Sequence, residues 1–455
     1  MKLNKICIIG GGLTGLVTAL QLSETNSSVE LFIRGNDLEH KDQRVTALSK
    51  DYLRQLKKLC GEKLDNYIFS SNHIILRTLI RDKIKDFSLN DQGTLISIVQ
   101  NSALSQLLIR KLKNKKNVKI LKKKLFTLHN KIESETTNLS KKYNLVIMCV
   151  GHQPELFDQL NLHRAINYDG NEVSLTCNLK INNANKLKVQ QFFFNEGPMA
   201  ILPFKKKQCS LVWTIKKEFL NENKNEIKNI IQDKLKRFFG YKKIIFTNPI
   251  KIFPIITRIS KKIFKNNILI LGNANASIHP LAGYGFNLIL RDIALLQHKI
   301  NHYHKLGLFV DETNLLSEIE AKRKPEKILA GLGLNLINQT LKSDNRFFKI
   351  KDILLTQFSK NNYLKDLSKK IYNAGEKVDE KVWRMPLHKN YDKLMNSKNA
   401  DVQNINYVGG AGSTTAAQFL QRFILKNTPW AHLDIAGIAF SKYGGALNSG
   451  AATGF

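Results

Sequence analysis

The sequence predicts an α/β fold built on a parallel sheet, with an antiparallel sheet inserted in its middle. Three observations support this fold class. A glycine-rich loop joins a short apolar strand to a helix near the N-terminus, and a second apolar strand runs into a glycine near residue 272. The segment between them shows the alternation typical of half-buried strands. A chain of 455 residues can form two or three domains.

The first strand is predicted at residues 5–10 (KICIIG) and ends in a glycine-rich turn. Gly10, Gly12 and Gly15 fit the pattern G-x-G-x-x-G. Apolar residues then follow at helical spacing: Leu13, Leu16, Val17 and Leu20. Such a loop lets backbone approach a pyrophosphate at a helix N-terminus that carries roughly half a positive charge. It predicts dinucleotide binding, and the alternative is a glycine turn without a ligand.

The second strand is predicted at residues 29–33 (VELFI). Ile33 stands where an Asp or Glu usually binds the adenosine ribose in this fold. Glu30, Asp37 and Glu39 are near in sequence but out of register. Either a loop carboxylate takes over this role, or the ribose is held less firmly.

Composition indicates an intracellular protein without disulfides or a zinc site. The cysteines are scattered, with no C-x-x-C pair: Cys7, Cys60, Cys149, Cys177 and Cys209. No run of about eighteen apolar residues is present, and residues 1–5 lead directly into the first strand. We therefore expect a cytoplasmic location.

The net charge of +34 suggests an acidic partner. The basic clusters at residues 111–124, 205–207 and 261–262 are rich in Lys and lack the interleaved aromatic residues of a base-reading surface. We interpret them first as compositional bias, since Lys, Asn and Ile dominate together, and second as attraction to acidic lipid headgroups. No nucleic-acid partner is expected.

The segment 272–292 (GNANASIHPLAGYGFNLILRD) carries the most information about chemistry. Residues 266–271 (NNILIL) read as a strand that ends at Gly272-Asn273, and a helix begins near residues 283–287. A second helix N-terminus thus faces whatever lies against this loop. Its dipole would stabilise negative charge on a reduced flavin.

This segment resembles the second FAD signature of flavoprotein aromatic hydroxylases. The resemblance is to the ubiquinone-biosynthesis branch typified by 2-octaprenyl-6-methoxyphenol hydroxylase, whose members show GNAA…HPIAGQGFNLGLRD. Residues 42–49 (DQRVTALS) are similar to that branch's D-x-R-x-x-A-L-S. Residues 197–203 and 209–213 are similar to its G-P-L-A-x-L-P…S-L-V-W. The resemblance covers about residues 1–373.

The resemblance implies an FAD-binding Rossmann-like domain of the aromatic hydroxylase type, formed by residues 1–165 and 262–373. Residues 166–261 would form a substrate domain with an antiparallel sheet, and the alternation at 176–180 and 210–216 favours strands there. Residues 374–455 would form a separate tail.

The same resemblance implies the cofactor site, with no side chain in a catalytic role because FAD carries the reaction. The pyrophosphate would be cradled by Gly10, Gly12 and Gly15. Other cofactor contacts would come from Arg44 and Asn101. The ribityl or pyrophosphate region would meet Gly272 and Asn273. The isoalloxazine would be lined by Pro280, Gly285, Phe286 and Asn287, the last two mainly through backbone. Turn or core roles are the alternatives, above all for Asn101 and Pro280.

The implied activity is an FAD-dependent monooxygenase that uses NAD(P)H and dioxygen to hydroxylate a polyprenylated phenol. Such a substrate resides in lipid, so contact with the inner membrane and with a ubiquinone-biosynthesis complex is expected. His279 beside Pro280 is interpreted as structural. Val150 stands where relatives carry the Asp of an Asp-Gly pair, and Tyr284 replaces the usual Gln. With Ile33, these departures keep a non-catalytic flavoprotein as an alternative.

The tail resembles a different family. Residues 375–378, 382–387, 409–413 and 428–437 occur in the order found near the end of leucyl aminopeptidases. Those enzymes hold two metal ions through motifs such as N-T-D-A-E-G-R, which lie before this segment and are absent from this chain. The match places His432 and Asp434 on a buried strand, in structural roles. We interpret this partial α/β tail as a fusion remnant without peptidase activity, with a metal-dependent aminopeptidase as the alternative.

Overall fold

A computed structural model of the chain separates into two compact units, Met1–Ile353 and Leu354–Phe455. It describes residues 4–33, 42–80, 83–90, 93–122, 132–151, 164–182, 187–277, 284–308, 313–342, 368, 371–376, 382–385, 387–405, 407–424 and 430–435.

The described elements are numbered in chain order. The strands are β1 (Asn4–Ile9), β2 (Ser27–Ile33), β3 (Val45–Ser49), β4 (Ile68–Ser71), β5 (His73–Ile80), β6 (Lys83–Asn90), β7 (Ile96–Gln100), β8 (Val118–Lys122), β9 (Leu145–Met148), β10 (Arg164–Ile181), β11 (Val189–Phe193), β12 (Pro198–Lys205), β13 (Gln208–Lys216), β14 (Ile244–Phe246), β15 (Lys251–Ser260), β16 (Phe264–Lys265), β17 (Ile268–Ile270) and β18 (Ala276–Ser277). The α-helices are α1 (Leu13–Leu22), α2 (Lys50–Cys60), α3 (Asn101–Lys113), α4 (Ile132–Lys142), α5 (Lys217–Glu222), α6 (Ile227–Phe239), α7 (Tyr284–Lys305), α8 (Thr313–Lys342), α9 (Lys389–Asp392) and α10 (Gly412–Gln421). Short stretches of 3₁₀ turn occur at Glu62–Tyr67, Gly272–Ala274 and Lys393–Met395.

The first unit contains a six-stranded sheet in the order β16-β17-β9-β1-β2-β8. All neighbours in it are parallel except β16 and β17. The chain leaves β1 towards β2 and β8 on one side, and later reaches β9 and β17 on the other side. The direction of winding thus reverses between β1 and β9, and in open α/β sheets ligands bind at the carboxyl ends of the strands at such a switch point.

The parallel sheet is buried on both faces, as parallel sheets usually are. Along β1, Ile6 and Ile8 belong to a core that α1, α2, α3 and α7 cover, whereas Cys7 and Ile9 belong to a smaller core on the opposite face. The alternation in the sequence therefore separates two apolar layers. The predicted strands at 5–10 and 29–33 are confirmed within one or two residues of their ends.

The second sheet has the order β18-β15-β10-β13-β12-β11-β5-β6, with β14 also paired to β10. The strands predicted at 176–180 and 210–216 lie in β10 and β13, which pair antiparallel with Thr176 opposite Val212. The prediction of an antiparallel sheet in this region is confirmed. The strands at one edge of this sheet, however, lie earlier in the chain. The β5–β6 hairpin joins the sheet because β5 pairs in parallel with β11.

The two faces of this second sheet differ in chemistry. On one face, Leu175, Trp213 and Leu211 pack with α5 and α6 in an apolar core. The other face carries the paired residues Ser174 with Thr214 and Asn178 with Ser210, all of which are buried although polar. Buried polar groups require partners or a ligand. This polar face is therefore the one suited to specific recognition.

A third, small sheet, β3-β7-β4, packs beside the second one. Ile98 of β7 and Phe204 of β12 are buried in a shared cluster, against which Val45 and Leu202 also pack. This cluster covers part of the polar face near β11 and β12. On the same face, Ala200, Val212 and Thr176 are half-buried.

Helices α7 and α8 are joined by a buried group of charges. Asp292 of α7 pairs with Arg323 and with Lys327 of α8 at 2.6 Å each, and all three side chains are at most 3% exposed. Glu326 adds a further contact to Arg323. Burial lowers the pKa of Lys327, while the Asp292 carboxylate opposes that effect.

In the second unit, α9, the 3₁₀ turn after it and α10 pack together. Arg422 donates from Nε to Asp392 at 2.9 Å and from Nη2 to the backbone oxygen of Asp392 at 2.6 Å. Residues 430–435 contain no strand, and Leu433 is 53% exposed. The prediction that His432 and Asp434 lie on a buried strand is therefore wrong, because neither residue lies in a strand and Asp434 is exposed.

Among the described residues, no helix is both long and apolar enough to cross a bilayer.

Candidate cofactor and substrate site

At the switch point between β1 and β9, two backbone segments lie in a close contact that only glycine permits. Gly10 has a φ of +124°, and a Cβ at this position would lie 2.3 Å from the carbonyl oxygen of Cys149. Its N–H donates to the oxygen of Phe32 at 2.9 Å. Gly10 therefore allows the turn after β1 to lie directly on the end of β9.

The next two glycines of the loop have different surroundings. A Cβ at Gly15 would lie 1.9 Å from the oxygen of Gly10, so Gly15 lets α1 pack against the turn. Among the described residues, a Cβ at Gly12 would meet nothing within 4 Å, and no side chain caps the helix that begins after Gly12. The N–H groups of the first turn of α1 are thus presented to open space, which is the cradle that a pyrophosphate requires.

The second predicted motif is brought to this same loop. Gly272 follows β17 with a φ of +79°, and a Cβ there would lie 3.0 Å from the hydroxyl oxygen of Thr14 in α1. Asn273, next in the 3₁₀ turn, is exposed. The structure therefore brings Gly10, Gly12, Gly15, Gly272 and Asn273 together at the carboxyl ends of β1, β9 and β17.

The side-chain amide of Asn275, beside this loop, is buried without a described hydrogen-bond partner. The Asn275 side chain is 1% exposed, and neither its amide nitrogen nor its amide oxygen has a hydrogen-bond partner among the residues that the structure describes. Leaving such a group without partners costs on the order of 1–3 kcal/mol. Together with the open cradle at Gly12, this orphaned amide fits a site that a polar ligand completes.

Arg44 and Asn101 are linked through Asp42. The carboxylate accepts from Arg44 Nε and Nη2, both at 2.8 Å, and from Asn101 Nδ2 at 2.9 Å. Burial alone would raise the pKa of Asp42, but the hydrogen bonds and the charge of Arg44, with the Asn101 amide, lower it to about 2. Thr46 also donates to Asn101 Oδ1 at 2.6 Å. Asn101 is therefore a positioning residue for Asp42 and, through it, for Arg44.

Asn287 joins α7 to β3. Its amide donates to the oxygen of Ala47 at 3.1 Å, and its Oδ1 accepts from the N–H of Ser49 at 3.2 Å. Phe286 is half-buried against the main core, and a Cβ at Gly285 would meet nothing within 4 Å. Among the described residues of this helix start, the side chains of Phe286 and Asn287 are thus engaged, and the backbone at Gly285 is left for a ligand. Pro280 and His279 lie outside the described residues.

Within the described part of the chain, the end of β2 shows no ribose-binding acid. Ile33 is 2% exposed and belongs to the main core. The Glu30 carboxylate accepts a hydrogen bond from the Tyr143 hydroxyl, and burial together with that bond raises the pKa of Tyr143. Asp37 and Glu39 lie outside the described residues. Glu30 is thus bound to Tyr143, and no described acid replaces the ribose contact that Ile33 cannot make.

The polar face of the second sheet lies against the Asp42–Arg44 segment. Asn178 donates to the backbone oxygen of Gln43 at 3.0 Å, and the Arg44 guanidinium lies 5.0 Å from the centre of the Phe253 ring. Across β12, β13 and β10, the half-buried residues Ala200, Val212 and Thr176 are in register on this face. They form a mostly apolar strip suited to a planar organic substrate.

Sequence reasoning missed three contributors to this site. Asp42 was part of a matched motif, and its position two residues before Arg44 is a signal for a local ion pair. Thr14 carried no signal, because its contact with Gly272 joins residues distant in sequence. Asn275 stood inside the matched segment between two alanines. Among the described residues, no group of three or more His, Cys, Asp and Glu side chains could hold a metal ion.

Two family models match separate parts of the chain. Residues 213–351 match squalene epoxidase, and residues 355–455 match the catalytic domain of the cytosol aminopeptidase family. The second match begins next to the boundary between the two compact units.

Curated relatives match the tail. The probable cytosol aminopeptidase of Rickettsia typhi (strain ATCC VR-144 / Wilmington) is 52% identical over 99 residues, which is 22% of this chain and 19% of that protein. That of Phytoplasma australiense is 49% identical over 98 residues, with the same two shares. The chain thus spans about a fifth of the length of these relatives.

Solved structures match most of the chain. p-Nitrophenol 4-monooxygenase PnpA from Pseudomonas putida DLL-E4 has a TM-score of 0.64 at 13% identity, covering 83% of this chain and 98% of that one. PqsL, a probable FAD-dependent monooxygenase from Pseudomonas aeruginosa, has a TM-score of 0.61 at 14% identity, covering 77% and 100%. The chain therefore has the mixed α/β fold of FAD-dependent monooxygenases, followed by an aminopeptidase-like C-terminal domain.

Proposed function

We propose that the first unit is an FAD-dependent monooxygenase that hydroxylates a polyprenylated phenol with NAD(P)H and dioxygen. The observation that carries the proposal is the meeting of the open cradle at Gly12 with the Gly272 turn at one switch point. The fold of the solved monooxygenases supports the reaction class. The sequence resemblance to the ubiquinone-biosynthesis branch supports the substrate class.

The N–H groups at the start of α1 would hold the FAD pyrophosphate, with the helix dipole favouring its negative charge. The backbone at Gly272 and Gly285 would line the rest of the cofactor. Arg44 would stay oriented towards the cofactor because the Asp42 carboxylate accepts hydrogen bonds from two of the guanidinium nitrogens. Bound FAD, once reduced by NAD(P)H, would supply the oxygen activation.

The substrate ring would lie on the strip formed by Ala200, Val212 and Thr176. Because this strip is mostly apolar, it would remove water from the ring, while Ser174 and Asn178 on the same face offer polar contacts for its substituents. The polyprenyl chain would extend into lipid, with the excess of basic residues favouring an acidic inner-membrane surface and a ubiquinone-biosynthesis complex as neighbours.

The test begins with the cofactor. Purified full-length chain, reconstituted with FAD, should show flavin absorbance after removal of free FAD. It should then oxidise NAD(P)H faster when a short-chain polyprenyl phenol is added, and mass spectrometry should find one added oxygen atom in the phenol. A chain that retains no flavin sinks the proposal. Flavin retention without a phenol-dependent rate supports the alternative of a non-catalytic flavoprotein.

Complementation tests the substrate class. A strain lacking a ubiquinone hydroxylase should regain ubiquinone when it expresses residues 1–373 or the full chain. Rescue by neither, with both proteins shown to carry flavin, would contradict the polyprenyl phenol assignment while leaving the monooxygenase assignment open to other phenols.

Peptide hydrolysis by the tail is the second candidate, favoured by its identity with cytosol aminopeptidases. We propose that it is inactive, because the N-T-D-A-E-G-R motif that the resemblance assigns to metal binding is not in the chain. The full chain with Mn²⁺ or Zn²⁺ should leave leucine p-nitroanilide uncleaved. Metal-dependent release of nitroaniline by the pure chain would overturn this expectation.

A further inference from the structure

A surface cavity of ≈ 270 Å³ lies away from the cofactor site, between the 3₁₀ turn Glu62–Tyr67 and the C-terminal half of α3. Three cations line it, Lys63, Arg110 and Lys111. Two amides and a phenol complete its polar lining, from Asn66, Asn114 and Tyr67. The basic segment at 111–124, which the cofactor site does not use, thus contributes to a concave site.

The three cations are not neutralised by neighbouring carboxylates. Among the described residues, none of them forms an ion pair with an Asp or Glu. Asp65, on the same 3₁₀ turn, is engaged by Lys57 at 2.6 Å. The cavity therefore keeps an excess of positive charge.

Lys111 is held at the end of α2. Gly61 follows α2, and a Cβ placed on it would lie 3.6 Å from the ammonium nitrogen of Lys111. The nearby Cys60 thiol offers no balancing charge, because burial raises its pKa to about 11 although Lys111 opposes that rise. The ammonium thus remains available to an anion.

The wider surroundings reinforce the field at the cavity. Between residues 101 and 122 the sequence contains seven Lys and Arg and no Asp or Glu. The C-terminus of α3 carries roughly half a negative charge. The two positive charges of Arg110 and Lys111 exceed this partial negative charge, so the cavity attracts anions.

The lining also fits one kind of anion. A guanidinium, two ammonium groups and two amides present many N–H donors and few acceptors, which suits the several oxygens of a phosphate. Leu107 is buried at 5% exposure, whereas Tyr67 is 39% exposed. A partly exposed aromatic ring beside basic groups is also typical of surfaces that meet a lipid headgroup region.

We propose that this cavity binds a phosphate group, carried either by an acidic phospholipid headgroup or by a soluble phosphate compound. The site is independent of the proposed monooxygenase activity, because none of its residues belongs to the cofactor or substrate site. Its occupation by a headgroup would hold the first unit at an acidic membrane surface.

The test compares two variants of equal charge in the full chain. Arg110→Gln/Lys111→Gln removes two cations of the cavity, whereas Lys116→Gln/Lys119→Gln removes two exposed cations outside it. Calorimetry measures binding of inorganic phosphate. Co-sedimentation measures binding to phosphatidylglycerol vesicles, with phosphatidylcholine vesicles as reference. An ionic strength of about 0.15 M limits diffuse attraction to roughly 8 Å.

The cavity variant should bind about tenfold more weakly than the unmodified chain, since charge-assisted hydrogen bonds are lost, and the control variant less than twofold. A loss of binding to phosphatidylglycerol vesicles assigns the headgroup, whether or not phosphate binding also falls, and a loss confined to inorganic phosphate assigns a soluble phosphate compound. Equal weakening in both variants, or no binding to either probe, overturns the proposal. Flavin absorbance and circular dichroism of both variants report separately on the cofactor site and on folding.

Discussion

Gly12 and Gly15 lie in the same loop, yet a methyl group added to each meets different surroundings. The backbone of Gly12 has φ −72° and ψ 174°, which alanine adopts readily, and no atom of the described residues lies within 4 Å of an added methyl group. Gly12→Ala should therefore leave the stability of the FAD-free protein within about 0.5 kcal/mol but place a methyl group where the pyrophosphate would lie. We expect loss of bound flavin, measured by absorbance after gel filtration, with unchanged urea unfolding of the FAD-free protein.

Gly15→Ala is the matched comparison. Its Cβ would lie 1.9 Å from a backbone oxygen, which cannot move without displacing the turn after β1. The free energy of unfolding of the FAD-free protein should fall by about 3 kcal/mol or more. Equal stability losses in Gly12→Ala and Gly15→Ala would show that Gly12 is needed for folding and not for the cofactor.

Asp42 should make the stability of the protein depend on pH in the acidic range. Its pKa falls from an ordinary value near 3.8 to about 2 in the folded state, so its contribution is complete above pH 4 and is lost as the pH falls towards 2. Because the side chain is 31% exposed, we expect a contribution of about 1 kcal/mol.

The measurement is the difference in unfolding free energy between the unmodified chain and Asp42→Asn, at pH 7 and at pH 2.5. The difference should shrink at the lower pH. Asp51→Asn, which removes an exposed partner of Arg54, serves as control and should change stability by less than about 0.5 kcal/mol. A pH-independent difference for Asp42→Asn would assign its effect to packing.

At the scale of elements, the buried charges between α7 and α8 are centred on the carboxylate of Asp292. Asp292→Asn would leave Arg323 and Lys327 buried without their shared anion, a change that typically costs about 3–5 kcal/mol. Glu326→Gln, at a position 27% exposed, should cost less than about 1 kcal/mol. Urea unfolding of both variants measures the contrast.

The pH dependence of Asp292→Asn identifies the cause. Burial already lowers the pKa of Lys327, and without Asp292 it should fall further. A lysine whose pKa is lower in the folded state than in the unfolded state reduces the free energy of unfolding at pH values below its folded pKa. That free energy is recovered as the pH rises from the folded pKa towards the unfolded pKa, near 10.4. Asp292→Asn should thus regain part of its stability between pH 7 and pH 10, and a constant loss would contradict this account.

The sequence was informative where structure depends on local pattern. β1, the turn at Gly10 and the pairing region of β10 with β13 follow from glycine spacing and alternation. It was uninformative where distant segments meet. No local signal in residues 73–80 shows that β5 pairs with β11 and not with the cofactor sheet, and nothing in Asp42 indicates Asn101 as its partner. The error at His432 has the same origin, because a strand inferred from relatives requires neighbouring strands.

At the scale of the whole molecule, the cysteines provide a reporter of folding. All five are buried, and burial raises the pKa of each thiol, to about 11 for Cys60 and about 12 for Cys7 and Cys149. Since the thiolate is the reactive form, native protein should react with a disulfide reagent only as fast as it unfolds. Labelling followed by mass spectrometry should find Cys7 and Cys177 modified together if the first unit unfolds as one. Rapid labelling of any of them in native protein would contradict their burial.

The central place of β9 in the parallel sheet affects how the protein is made. On the ribosome, β9 is complete long before β17, its neighbour on one side, has been synthesised. At about 5–20 residues per second, the interval is on the order of ten seconds. During that time one side of β9 is an unpaired apolar edge in a growing chain, which favours aggregation or capture by a chaperone. Slowing translation between residues 148 and 268 should thus reduce the yield of soluble protein, and the Gly272 turn can reach Thr14 only after that interval has ended.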